Sequence, residues 1–405
     1  MVIVGAGAAG ASAAVALRDN GWVGDIVVLS SEAYAPYERP PLSKAVITDG
    51  GAAVLPPLGA GARFAELGID HRAGVHAIRI DAERHEVQVE GGPPLAYARL
   101  LLATGARPRK LTIPGHAQAR YLRDFDDALA LRAAFVPGAR IAIIGGGFIG
   151  LELAASARAC GCHVTLVEFA PAVLTRGVPV AIGDFLAARH RHAGVDLRLG
   201  ASLAQIEADG TLVLSGGDKV PADCVIAGIG AVPEVALAES AGLAIDNGIA
   251  VDAALRTSQH DIYAAGDCCS FPVALYGGRR VRLEAWRNGL DQGKLAAKNM
   301  LGGSEAYAAV PWFWSDQYDV HVQIAGLADG AVHHVARDLG EDARLIFHLD
   351  GQHRLLAASG AGPIGKVAKI FKMAEMRVAR RTICSPDELA SPGFALKALL
   401  SQKGA

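Results

Sequence analysis

One glycine pattern occurs twice in this chain, and it leaves few folds open. Val2, Ile3 and Val4 make a short apolar strand that runs into G-x-G-x-x-G at Gly5, Gly7 and Gly10. Residues 11–18 then read as a helix and residues 25–29 as a second strand, with Glu32 close behind it. The plan returns about 140 residues later, with an apolar strand at 140–144 and glycines at Gly145, Gly147 and Gly150. A helix over 151–159 and a strand over 163–167 follow, and that strand ends at Glu168. The first glycine of each copy permits a tight turn, and the second lets backbone approach a pyrophosphate. The third lets helix and strand pack closely, and the helix N-terminus offers partial positive charge to phosphates. The acid after the second strand accepts hydrogen bonds from a ribose. A single such motif is weak evidence. Two complete copies predict two dinucleotide-binding domains in an α/β chain.

Length and composition agree with this. The 405 residues call for two or three domains, and hydrophobic residues at 51% supply material for large cores. A formal net charge of −2 argues against nucleic acid or an anionic membrane as the main partner. The apolar runs are broken well short of the roughly 20 residues that a span needs, so no membrane association is expected. Residues 1–10 read as a buried strand entering a turn, with neither a basic n-region nor a cleavage pattern. Six cysteines make no disulfide framework, and a cytoplasmic location is expected. No zinc spacing is visible and no metal site is expected; His190, His192, His333 and His334 are read as surface residues.

Two further segments, 100–108 and 225–233, share the form of a buried strand entering a Gly-Pro turn. Near Asp261 another strand ends at Gly266-Asp267, a place where a carboxylate could meet a sugar-phosphate hydroxyl. Beyond residue 306 the apolar residues alternate, as over 320–325 and 345–349, which predicts antiparallel strands and a third domain.

These motifs together resemble the pyridine-nucleotide disulfide oxidoreductase superfamily. Within it the chain is similar to the ferredoxin reductases that serve Rieske-type oxygenases and bacterial cytochromes P450. The resemblance spans almost the whole chain, and Pro36-Tyr-Glu-Arg-Pro-Pro-Leu-Ser-Lys44 and Pro311-Trp-Phe-Trp-Ser-Asp-Gln317 are its most specific signals. It implies two Rossmann-like, glutathione-reductase-like domains and a C-terminal α+β domain. Residues 1–112 with 246–305 would bind FAD, 113–245 would bind NAD, and 306–405 would form the third domain. Disulfide reductases of the superfamily carry a redox-active cysteine pair where Ser43 and Lys44 stand here. Residues 34–48 contain no cysteine, so the second substrate would take electrons directly from the flavin.

The resemblance also implies site residues. Gly5, Gly7, Ala9 and Gly10 would hold the FAD pyrophosphate, Ser31 or Glu32 its ribose, and Lys44 would lie near the isoalloxazine. Arg39, Val75, Thr104, Gly105, Arg123, Asp267, Trp286 and Trp314 match further FAD positions. Trp286 and Trp314 can also be core aromatics, although the Trp-Ser-Asp match favours a place near the flavin for Trp314. Gly145, Gly147, Ile149, Gly150, Glu152, Glu168, Arg176 and Gly230 would serve NAD. Glu168 is followed by Phe169 rather than a basic residue, which favours NADH over NADPH, while Arg176 could tolerate a phosphate. Glu152 has two readings: a helix-start carboxylate favoured by the dipole, or a partner of Lys44 beside the flavin that tunes its reduction. Cys268-Cys269 is read as two reduced, partly buried thiols.

The function implied is an NADH:ferredoxin reductase, monomeric or homodimeric, whose partner is a small [2Fe–2S] ferredoxin, of Rieske type or otherwise, feeding an oxygenase in aromatic hydrocarbon catabolism. A rubredoxin reductase or NADH oxidase is the enzymatic alternative. A flavoprotein like apoptosis-inducing factor, switched by NADH, is the alternative of another class. An acidic ferredoxin calls for a basic docking face. The candidates are the cluster Lys366, Lys369, Lys372, Arg377, Arg380 and Arg381, and the cluster Arg279, Arg280 and Arg282.

Overall fold

The computed structural model describes residues 1–393 and 396. Its contacts gather into two compact units, each assembled from three stretches of chain. The first comprises Met1–Arg39, Leu55–Arg107 and Ala231–Ala309. At its centre lies a five-stranded parallel sheet in the order Ile262–Ala264, Leu100–Leu102, Val2–Val4, Val27–Ser30 and Asp70–Ala73. Leu100–Leu102 and Val2–Val4 are apolar at every position and buried throughout, as strands covered on both faces must be. The fingerprint helix Ala8–Asp19 packs against the helix Trp286–Met300. Their approach is so close that a Cβ on Gly293 would stand 2.2 Å from the Ala9 carbonyl oxygen.

The second unit comprises Pro40–Val54, Pro108–Gly230 and Val310–Ala405. Its parallel sheet runs Val195–Leu199, His163–Glu168, Arg140–Ile144, Cys224–Ala227 and Ala119–Arg120. The expected antiparallel segment is present as a five-stranded sheet. Its order is Trp312–Gln317, Val320–Gly326, Leu355–Gly362, Arg344–Leu349 and His333–Arg337. One apolar cluster joins Ile47, Leu131, Leu151, Leu186, Val322 and Ile346, so all three stretches of the unit share a core.

Several local readings change. The second fingerprint helix spans Phe148–Ala159, so it starts inside the glycine motif, and Glu152 lies beyond the first turn rather than in it. His190 is wholly buried, not a surface residue, because it follows Ile182 and Leu186 along one face of the helix Val180–His192 at four-residue spacing. Cys268 and Cys269 are fully buried free thiols, and burial raises both above the ordinary thiol range. Arg377 belongs to no basic surface: it is buried in the helix Ile364–Ala379, and its guanidinium donates to the Leu396 carbonyl at 2.7 and 3.0 Å.

Candidate active site

The two glycine turns have nearly the same geometry. Gly5 and Gly145 both take φ +106°, a conformation that only glycine adopts at no steric cost. A Cβ on Gly5 would meet the Ala103 carbonyl oxygen at 2.1 Å, and one on Gly145 would meet that of Gly228 at 2.5 Å. At the third position a Cβ would stand 1.8 Å from the Gly5 oxygen in the first copy and 2.1 Å from the Gly145 oxygen in the second. Gly10 and Gly150 therefore seat helix on turn. The middle glycine differs in kind. A Cβ on Gly7 meets nothing within 4 Å, and one on Gly147 meets only the Gly228 oxygen at 3.8 Å. These are the N-caps of their helices, and no side chain caps either helix. Open space in front of uncapped N–H groups is what a pyrophosphate requires, so both turns fit a dinucleotide. Ala9 lies in the first helix turn, and Ile149 is exposed at the equivalent place in the second.

The acids are held differently. The Oε1 of Glu32 forms an ion pair with Arg39 at 2.5 Å, and Oε2 accepts from the Tyr37 hydroxyl. Val75 donates its backbone N–H to Ser30 O at 2.8 Å beside the same strand end, and Ser31 is exposed. Glu168 accepts from the backbone N–H of Gly146 at 2.5 Å and of Ala170 at 2.7 Å. Phe169 is 77% exposed, and Arg176 is exposed near Gly230.

Other expected positions take these places. The Thr104 hydroxyl donates to Glu234 O at 2.6 Å, and Gly105 has φ +73°. Arg123 donates its backbone N–H to Asp127. Asp267 follows Gly266, whose N–H is held by Gln292, a wholly buried side chain on the helix that Trp286 opens. Trp314 packs on Trp312 with ring centroids 5.3 Å apart.

The second unit also contains a buried carboxylate with an unusual set of donors. Glu152 is 5% exposed, and Lys44 Nζ stands 2.6 Å from its Oε2. The expected pair is formed. Ser43 Oγ donates to the same oxygen at 2.5 Å, and Ser315 Oγ donates to Oε1 at 2.5 Å. Ser156, one turn along the Glu152 helix, donates to Ser43 O at 2.6 Å and fixes the 40–44 turn on that helix. The next residue after Ser315 joins the group. Burial would raise the Asp316 carboxyl, but bonding to His321, the charge of Lys44 and the Trp314 indole more than reverse this and lower it. The sequence reading missed Ser43, Ser156 and Ser315. Ser43 and Ser315 lie within the family segments 36–44 and 311–317, but nothing local points any of the three at its partner, which is 109, 113 and 163 residues away respectively for Ser43, Ser156 and Ser315.

Comparison with known proteins decides the family. Residues 1–293 match the family model described as pyridine nucleotide-disulphide oxidoreductase, and residues 312–400 match the model of reductase C-terminal segments. The chain belongs to the pyridine nucleotide-disulphide oxidoreductases. The ferredoxin–NAD(+) reductase component of the p-cumate 2,3-dioxygenase system of Pseudomonas putida is 37% identical, over 98% of this chain and 97% of its own. A rubredoxin–NAD(+) reductase of the same species is 40% identical, over 80% of this chain and 86% of its own. Among solved structures, the covalent putidaredoxin reductase–putidaredoxin complex matches with a TM-score of 0.92 and 35% identity, over 99% of this chain and 97% of the matched one. Members of this family are flavoenzymes, and this chain is an oxidoreductase that uses FAD and NAD(H). Among the described residues, no helix is long and apolar enough to cross a membrane, and no cluster of potential ligands could hold a metal ion.

Proposed function

We propose that this oxidoreductase passes electrons from NADH through FAD to a small [2Fe–2S] ferredoxin that feeds an oxygenase. One observation carries the reading: Ser43 and Lys44 stand where disulfide reductases of the superfamily hold their redox cysteines, and residues 34–48 include none. Electrons must therefore leave from the flavin itself. The p-cumate system reductase and the putidaredoxin complex are the relatives that support a ferredoxin as acceptor. We place FAD on residues 1–112 with 246–305 and NADH on 113–245, with a cytoplasmic location.

When bound, FAD supplies hydride acceptance and the release of single electrons. The protein's part is to bind, orient and tune. The Gly5–Gly10 and Gly145–Gly150 turns present helix N-termini to the two pyrophosphates. Ser31 or Glu32 would receive the FAD ribose, and Glu168 would receive that of NADH. The carboxylate of Glu168 repels a 2′-phosphate and bonds a 2′-hydroxyl, which makes NADH the preferred donor. Lys44 would supply a cation that favours electron acceptance by the flavin, and Glu152, its ion-pair partner, would moderate that charge. Neither group transfers a proton.

The rubredoxin reductase relative favours a second acceptor class. Cytochrome c reduction with added ferredoxin or with added rubredoxin separates the two. The ferredoxin reading fails if only rubredoxin supports turnover.

A further inference from the structure

Behind Glu152 a line of polar side chains runs through the second unit to its surface. Ser315 Oγ stands 2.5 Å from Glu152 Oε1, and Gln317 Nε2 stands 3.2 Å from Ser315 Oγ. His190 Nε2 stands 2.9 Å from Gln317 Oε1, and the Tyr318 hydroxyl stands 3.1 Å from His190 Nδ1. Ser315, Gln317 and His190 are each no more than 1% exposed, while Tyr318 is 37% exposed.

Hydrogen-bond capacity fixes the direction of every link. The Glu152 carboxylate, paired with Lys44, only accepts, so Ser315 must donate its single proton to it. Ser315 Oγ is then left to accept from the Gln317 amide NH2. Gln317 thereby turns its carbonyl oxygen to His190, which must answer with Nε2–H. His190 Nδ1 is then bare and accepts from Tyr318. Burial, chiefly, lowers the His190 imidazole below its ordinary range, which keeps it neutral. Burial likewise raises the Tyr318 phenol to about 12, so its proton stays in place. All four donors point the same way, toward Glu152, and aligned bonds of this kind strengthen one another.

The far end of this line is also pinned. Tyr318 and Asp319 form the turn between the strands Trp312–Gln317 and Val320–Gly326. Tyr318 takes φ +55°, a left-handed conformation uncommon for a bulky residue. Asp319 pairs with Arg189 at 2.5 Å, so consecutive residues of the helix Val180–His192 grip consecutive residues of the turn.

We propose that His190 is a positioning residue for the Lys44–Glu152 pair: acting through Gln317 and Ser315, it aims a donor at Glu152 and holds that carboxylate on Lys44. The functional consequence rests on the flavin-tuning reading of that pair, whereas the relay itself does not. Two measurements on the FAD-loaded enzyme separate them. Nitrogen-15 NMR of histidine-labelled protein, with His190 assigned by its loss in His190→Gln, should show a neutral ring protonated at Nε2. A ring protonated at Nδ1, or a charged one at neutral pH, overturns the relay.

Rapid mixing with NADH should show His190→Leu and Gln317→Leu slowing flavin reduction by about three- to tenfold, the weight of one hydrogen bond between neutral groups, with KM for NADH unchanged. His190→Gln, which can both donate and accept, should restore most of that loss. Wild-type rates in both leucine variants, where Glu152→Gln slows reduction, overturn the positioning role and leave the tuning pair standing. If Glu152→Gln and Lys44→Ala also react at wild-type rates, the tuning reading falls and His190 loses its positioning role with it, while the ring's protonation still decides whether the relay exists.

Discussion

The two fingerprint turns are almost superposable in their glycines, yet their acids are treated in opposite ways. Glu32 is neutralised by Arg39 and held by Tyr37, whereas Glu168 is held, among the described residues, by the backbone N–H groups of Gly146 and Ala170. On the proposed assignment of FAD to the first turn and NADH to the second, the glycines answer a demand common to both cofactors, a pyrophosphate on a helix end, and so they are alike. The acids answer different demands. A resident cofactor needs a ribose anchor that adds little net charge to its surroundings. An exchanging cofactor must be distinguished from its 2′-phosphorylated form, and a carboxylate with no cationic partner repels that phosphate most strongly.

The largest effects should come from the glycines. Gly10→Ala would place a methyl 1.8 Å from the Gly5 carbonyl oxygen and should cost about 3 kcal/mol or more, seen as a lowered Tm and loss of the yellow colour. Gly150→Ala makes the corresponding clash at 2.1 Å but should leave the protein yellow and unable to accept hydride from NADH. Gly7→Ala meets no atom of the protein, so it should fold normally and lose affinity for FAD alone. If both third-glycine variants lose the same cofactor, the two turns do not divide the work as proposed.

Next in size is the choice of nicotinamide donor. NADH should exceed NADPH in kcat/KM by about 30- to 1000-fold, or roughly 2–4 kcal/mol. Glu168→Ala should narrow that gap mainly by weakening NADH. An equivalent change at Glu32 should alter FAD retention and leave the gap intact, and equal efficiency with both donors in the wild type would remove the role given to Glu168.

The glycine turns, their helices and the Lys44–Glu152 pair were legible in the sequence because each is carried by a local pattern or a family motif. What surrounds the pair was not. Ser43 and Ser315 reach Glu152 from 109 and 163 residues away, and a serine carries no signature of burial. His190 sits in the run Arg189-His190-Arg191-His192, whose polarity suggests a surface. The four-residue spacing from Ile182 and Leu186 was the signal that it points inward. Arg377 misled in the same way, since a basic count along a helix says nothing of which face each residue takes.

Smaller effects belong to the pair and the surface. Lys44→Ala should lower the flavin midpoint potential by about 20–40 mV, equivalent to one partly screened charge, without loss of FAD. Unchanged potentials in both Lys44→Ala and Glu152→Gln would make the pair structural only. For docking, Lys369 and Lys372 remain exposed, whereas Lys366 pairs with Asp342, Arg381 with Asp350, Arg280 with Asp246 and Arg282 with Glu284. Reversing Lys369 and Lys372 together should slow ferredoxin reduction a few-fold at low salt and little at high salt. A flat salt profile would indicate an apolar contact instead.

The central claim, electrons moving from NADH to bound FAD and then directly to a ferredoxin, is tested most directly by double mixing without oxygen. Mixing the enzyme with one equivalent of NADH should bleach the flavin, and a second mixing with oxidised [2Fe–2S] ferredoxin should restore the yellow colour as the ferredoxin is reduced. Thiol alkylation beforehand should change neither phase. A flavin that bleaches but stays reduced in the presence of ferredoxin, or a second phase abolished by alkylation, would contradict the account.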